Sequence, residues 1–193
     1  MSPFIRRPWY TDRRVIVYTI GHSTLPLDDF LARLTAHGIQ AIADVRRFPA
    51  SRRHPHFARA ALAAALAARG VGYAWLPALG GRRRGAPHSP HVAWRSASFR
   101  AYADHMETPE FQAGLAALLA DAATCPTAVM CAEALPWRCH RQLVADALLA
   151  RDVDVRHIVG PHAAEPHRLT PFARLEGTRV VYDGGQPPLP RRS

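Results

Sequence analysis

At 193 residues, 48% hydrophobic and 8% aromatic, the chain is long enough for one buried core and short for two. No apolar run approaches the ~18 residues of a membrane span. The opening stretch carries Arg6, Arg7, Arg13 and Arg14 without the apolar segment of a signal peptide, so a cytoplasmic protein is expected. The net charge is +10 and all 25 basic residues are arginine. Eleven of them fall between Arg46 and Ala103, where no Asp or Glu occurs, and eight acids follow between Asp104 and Asp154. The arginine-only usage, beside so many alanines, reflects compositional bias as well as function, but an acid-free block still attracts phosphate-bearing partners.

Residues 1–14 read as a basic arm. Val15 to Ile20 is a β-branched run stopped by Gly21, and Pro26 to His37 has helical spacing at Leu27, Phe30, Leu31 and Leu34. Ile39 to Val45 predicts a second strand, and alanine-rich Phe57 to Arg69 a helix ending at Gly70. Val71 to Leu76 is a third strand. One or two helices follow between Phe99 and Thr124, broken near Thr108-Pro109. Thr127 to Cys131 and Val153 to Val159 are further strands, with Leu143 to Leu149 in the helix between them. The alternation predicts a single three-layer α/β domain over 15–160, a mostly parallel open sheet of about five strands with crossover helices. Residues 161–193, with five prolines from Pro161 to Pro188, read as an irregular tail that either wraps the domain or forms a homodimer.

In such a sheet ligands bind beyond the carboxyl ends of the strands. The first ends in Gly21-His22-Ser23 and the second in Asp44-Val45-Arg46. The third runs into Leu79-Gly80-Gly81 and three arginines, and the fourth into Cys131-Ala132-Glu133. Convergence of four polar or glycine-rich ends predicts a rim in which Ser23, Asp44, Arg46, Gly80 and Gly81 bind an anion. His22 is a candidate general base, or else a loop histidine that orders its turn. Asp44 and Arg46 share a strand face, as an orienting carboxylate with an anion clamp or as a structural ion pair. Glu133 would serve as acid or base if burial raised its pKa.

The strongest local feature runs from Cys131 to Arg141. Pro136 suits a first helical turn, which would put Cys139, His140 and Arg141 at the start of the fourth crossover helix, where the dipole favours an anion and a thiolate. Arg141 and His140 would bind the anion. Cys139 is the candidate nucleophile by helix position and Cys131 by proximity to the rim; both could equally be small core residues.

Taken together, Tyr18-Thr-Ile-Gly-His-Ser23, Asp44-Val-Arg46 followed by Pro49 and Ser51, Leu79-Gly-Gly81, Phe99-Arg-Ala-Tyr102, and Cys131-Ala-Glu133 through Cys139-His-Arg141 resemble the family known as domain of unknown function 488. The resemblance spans 16–160. It implies a small bacterial or archaeal α/β domain, with no reaction to carry over.

Other chemistries fit less well. The chain has no GxGxxG after the first strand, no GxxxxGK[ST] and no GxSxG. Arg138 is one residue too far from Cys131 for the CxxxxxR loop of cysteine phosphatases. No cofactor is required; zinc or iron on Cys131, Cys139, His140 and His22 is the alternative, weakened by the lack of closely spaced ligand pairs. Three functions remain open: a Cys/His-dependent hydrolase or transferase acting on a phosphorylated, nucleotide or nucleic-acid substrate; a nucleic-acid-binding protein using the arginines of 46–100 with Tyr73, Trp75 and Trp94 as stacking groups; and a non-catalytic regulator that senses an anion.

Overall fold

The computed structural model describes residues 14–50 and 53–185. Most of the basic arm, Ser51 and Arg52 of the arginine block, and the end of the tail from 186 onward, including Pro187, Pro188 and Arg191, lie outside the described residues. Strands β1 (Ile16–Gly21), β2 (Ala41–Asp44), β3 (Gly72–Trp75), β4 (Thr127–Cys131) and β5 (Asp154–Ile158) run parallel, and β6 (Glu165–Pro166) pairs antiparallel with β5. Their order is β3-β2-β4-β1-β5-β6. Helices α1 (Leu27–Ala36), α2 (Arg59–Ala67), α3 (Ala97–Met106), α4 (Pro109–Ala122) and α5 (Arg141–Leu149) supply the connections.

Strand alternation sorts the core into two layers. Ile20, Ile42, Met130 and Ile158 pack with Phe30 and Leu34 of α1 and Leu62 and Leu66 of α2. On the other face, Val17, Val45, Val129 and Val155 pack with Tyr102 of α3, Phe111 and Leu115 of α4, and Leu143 and Leu148 of α5. The structure is therefore a three-layer α/β fold. Helix α4 starts where the Thr108-Pro109 signal falls: the Thr108 hydroxyl accepts the Phe111 amide at 3.2 Å, and Pro109 follows it at the first helical position. Among the described residues no helix is long and apolar enough to cross a membrane.

The chain after Gly160 is more ordered than its prolines suggested. Besides β6, it forms a hairpin of β7 (Arg174–Glu176) and β8 (Arg179–Val181), and Ala173, Val180 and Tyr182 enter the core. The physical reason lies in Asp146 on α5, which is fully buried. Its carboxylate accepts from the Thr170 amide and hydroxyl (3.0 and 2.7 Å), the Tyr182 hydroxyl (2.8 Å) and His167 Nε2 (2.9 Å), fastening this segment across the sheet edge.

Strand β4 is the topological pivot. It lies between β1 and β2, whose following helices α1 and α2 pack on one face, while its own α5 packs on the other. Connections leaving in opposite directions open a crevice at the carboxyl ends.

Candidate active site

A cavity of about 560 Å³ occupies that crevice. Its floor holds Cys131, at the last position of β4, together with Cys139 and His140; Arg46, Arg47, Arg82 and Arg138 bring positive charge, and Phe48, Phe99 and Tyr102 supply apolar wall. Glu133 stands on the wall and is exposed, so the burial that would have tuned it as an acid is absent.

The helix start differs from the expectation in its detail. Pro136–Arg138 forms a separate 3₁₀ turn, Cys139 is extended (φ −133°, ψ 150°), and α5 begins at Arg141 with His140 as its cap. Proline at the first position favoured the short turn, and the α-helix begins at Arg141, five residues after Pro136. Cys139 therefore sits just ahead of the helix rather than within its first turn.

This kink pairs the thiol with the histidine beside it. Cys139 Sγ lies 3.6 Å from His140 Nδ1, while His140 Nε2 donates to the Val45 carbonyl at 3.2 Å. The carbonyl holds Nε2 as a donor, so Nδ1 faces the sulfur, where it can take the thiol's proton and donate it back to the thiolate. The Cys131 thiol, within 4.8 Å, holds the Cys139 pKa well below the ordinary thiol range; His140 and the Arg141 charge add to this against the cost of burial. The same contact, with burial, pushes Cys131 well above that range. Of the two candidates left open by sequence, Cys139 is the one with the lowered pKa and the histidine contact.

The two glycines of the third strand-end loop serve packing. A side chain on Gly81 would bring its Cβ to 2.8 Å from His140 Nδ1, and one on Gly80 would press on the Arg47 backbone at 3.1 Å. Gly81 lines the cavity, and the buried Tyr102 hydroxyl donates to the Leu79 carbonyl at 2.6 Å to hold this loop. Next along, Arg82 has φ 57°, a backbone region seldom taken by residues other than Gly, Asn and Asp.

Several predicted site residues are brought to the rim but face inward. His22 is 3% exposed and stacks on Phe57 at 4.1 Å. Its Nδ1 donates to the Ser23 carbonyl (3.0 Å) and its Nε2 accepts from Arg46 Nη1 (3.3 Å). Burial, with the Arg46 charge next, lowers its pKa to about 4. With both nitrogens engaged it orders its turn. Ser23 does not line the cavity; its amide binds the Ala132 carbonyl at 2.9 Å, and the His22 amide binds the Cys131 carbonyl at 3.0 Å. The Asp44–Arg46 pair is structural, and of the two Arg46 alone lines the cavity: Arg46 Nε and Nη2 reach Asp44 (2.9 and 2.6 Å), Nη1 donates to the Phe57 carbonyl (2.8 Å), and Asp44 also accepts from Tyr73 (2.7 Å).

Arg141 does not line the cavity either. It is 1% exposed and donates from Nη2 to the carbonyls of Glu133 (2.5 Å) and Ala134 (3.1 Å), bracing the loop from behind. Gly21 makes room for this: any Cβ there would collide with the Glu133 carbonyl and Arg141. The exposed arginines of the cavity, Arg47, Arg82 and Arg138, take the place sequence reading gave to Arg141. Their signal was the acid-free block and the near-miss spacing of Arg138. Nothing in the sequence marked Phe48, which is 65% exposed at the rim.

Sequence spacing argued against a metal, yet folding gathers Cys131 Sγ, Cys139 Sγ and a His140 ring nitrogen within 4.8 Å of one another. Two thiolate ligands and an imidazole suit a borderline cation such as zinc, with a fourth position open to the cavity. His22 is not part of this group.

Fold and cavity together define an α/β protein with a thiol-bearing, arginine-lined pocket at the topological pivot of its sheet. The family model described as "Domain of unknown function DUF488" matches residues 26–148, and the chain belongs to that family. No curated protein and no solved structure matches it.

Proposed function

We propose that this protein is a thiol-dependent hydrolase or transferase acting on a phosphorylated or nucleotide substrate. The observation that carries this reading is the Cys139–His140 pair, 3.6 Å apart and oriented by Val45, on the floor of an arginine-lined cavity. Arg47, Arg82 and Arg138 bind the substrate's anionic group. His140 Nδ1 takes the Cys139 proton; the resulting thiolate attacks the phosphoryl or acyl centre, and that same proton passes from His140 to the departing group. Water or an acceptor alcohol, deprotonated by His140, then displaces the group from sulfur and restores the thiolate. The Cys131 proton stabilises that thiolate at each end of the cycle.

Iodoacetamide labelling at neutral pH, mapped by peptide mass spectrometry, tests this. Cys139 should label at least ~10-fold faster than Cys125 and Cys131, and inorganic phosphate or a nucleotide should protect it. Equal, slow labelling of all three would sink the proposal.

A second reading, single-stranded nucleic-acid binding, is favoured by Phe48 standing exposed beside Arg47. The other anticipated stacking groups are occupied: Tyr73 by Asp44, Trp75 by Arg59 at 4.4 Å, and Trp94 by Phe99 and Phe172. Retardation of a labelled oligonucleotide that weakens steeply with salt and is lost in Phe48→Ala would support this reading.

A further inference from the structure

We propose that Cys131 and Cys139 form a two-thiol redox site that reduces a small anionic disulfide, closing between themselves to a protein disulfide. The proposal rests on Cys139 being the reactive thiol of the cavity, and goes beyond it by giving Cys131 a chemical role.

Three observations point there. The two sulfurs lie within 4.8 Å of each other on the floor of one cavity, although they come from different elements, the end of β4 and the residue preceding α5. Closing to a bond of about 2.05 Å asks for a side-chain movement at Cys139, which is held by an extended residue between a 3₁₀ turn and a helix rather than within either. A structural pair of core cysteines would face apolar side chains on all sides. These two face a cavity lined by Arg47, Arg82 and Arg138, with room for a ligand of peptide size.

The steps balance. The Cys139 thiolate attacks one sulfur of a disulfide RSSR, forming a mixed disulfide Cys139–SR and expelling RS⁻. Cys131 gives its proton to that RS⁻ and attacks Cys139 Sγ, forming the Cys131–Cys139 bond and expelling the second RS⁻. The protein dithiol loses two electrons and the small disulfide gains them, leaving as one thiol and one thiolate. The arginines select an R group bearing carboxylates.

The test uses the full chain, stripped of metal by a chelator and kept anaerobic, with glutathione disulfide as the probe. Intact mass should show the loss of two hydrogens without any added glutathionyl group, and peptide mapping should join Cys131 to Cys139. Cys131→Ser should stop with one glutathionyl group on Cys139, Cys139→Ser should not react, and Cys125→Ser should behave as wild type; circular dichroism confirms that each variant is folded. Arg82→Ala should slow the reaction with glutathione disulfide ~10-fold while leaving an uncharged disulfide unaffected. Wild type that halts at the mixed disulfide, or fails to react while Cys139 is still selectively alkylated, overturns the redox site alone. Loss of selective alkylation as well overturns the thiol-enzyme reading with it. Stoichiometric zinc held by both thiols in the purified protein, resisting the chelator, would also overturn the redox site.

Discussion

Two polar clusters sit at opposite sides of β1 and use similar residues to different ends. On the cavity side, Cys131, Cys139 and His140 leave their working atoms toward open space. Toward β5, over the same face of the sheet, a buried chain runs from Arg141 Nη1 to Thr19 Oγ1 (3.4 Å), from Thr19 to His157 Nδ1 (2.7 Å), from His157 Nε2 to His167 Nδ1 (3.0 Å), and from His167 Nε2 to Asp146 (2.9 Å). Because the Asp146 carboxylate can only accept, His167 Nε2 donates to it, and every ring nitrogen in the chain is committed. A histidine is available for chemistry when one nitrogen is held and the other is open. His140 meets that condition; His22, His157 and His167 do not.

If this distinction is right, the buried chain governs stability and the cavity governs reactivity. Asp146→Ala removes the acceptor for Thr170, Tyr182 and His167 at once and should cost about 3–5 kcal/mol in urea unfolding. A loss below about 1 kcal/mol would mean that the segment after Gly160 is not fastened as described.

The buried histidines make a second stability prediction. His157 is lowered to about 3, by burial, then by the charges of His167 and Arg141, and His22 to about 4. Their folded values lie below the unfolded value near ~6.5, so at acid pH the unfolded chain binds protons that the folded chain refuses. Stability should be complete above pH ~6.5 and decline as pH falls toward ~3–4, by on the order of 3 kcal/mol per histidine. Unfolding midpoints that stay level from pH 7 to pH 4.5 would contradict this.

Smaller effects on folding should accompany the larger effects on chemistry. His140→Ala should leave urea stability within about 1 kcal/mol of wild type while slowing Cys139 alkylation at neutral pH ~100-fold. A stability loss matching that of Asp146→Ala would merge the two clusters into one structural network. Smallest of all, Arg138→Ala, at an exposed cavity position, should weaken phosphate protection of Cys139 ~10-fold with stability unchanged.

The sheet was legible because β1, β2, β4 and β5 carry β-branched residues, β3 follows Gly70-Val71, and the crossover helices have apolar stripes of their own. The family motifs were legible for a related reason: they fall at the strand ends, where the fold concentrates its polar residues. Whether a polar residue faces the cavity or the core was not legible. Arg141 and Arg138 look alike in sequence, three residues apart; the intervening kink at Cys139 sends one behind the loop and the other to the cavity. Likewise, His22 is closed off by Arg46 and Phe57, partners 24 and 35 residues away whose approach only the tertiary structure reveals. The ordering of 161–185 depended on Asp146, a single acid within an apolar helix pattern, whose three partners come from a segment with no periodicity of its own.

The central claim is that Cys139 is a thiolate at neutral pH because Cys131 and His140 hold it so. The pH dependence of its alkylation, followed residue by residue from pH 4 to 10, measures this directly. The account predicts a Cys139 rate already on its plateau at pH 7 that falls only in acid, and a fall displaced toward neutrality in Cys131→Ser and His140→Ala. A Cys139 rate still climbing tenfold per pH unit through neutrality toward the ordinary thiol value near ~8.5 would contradict it.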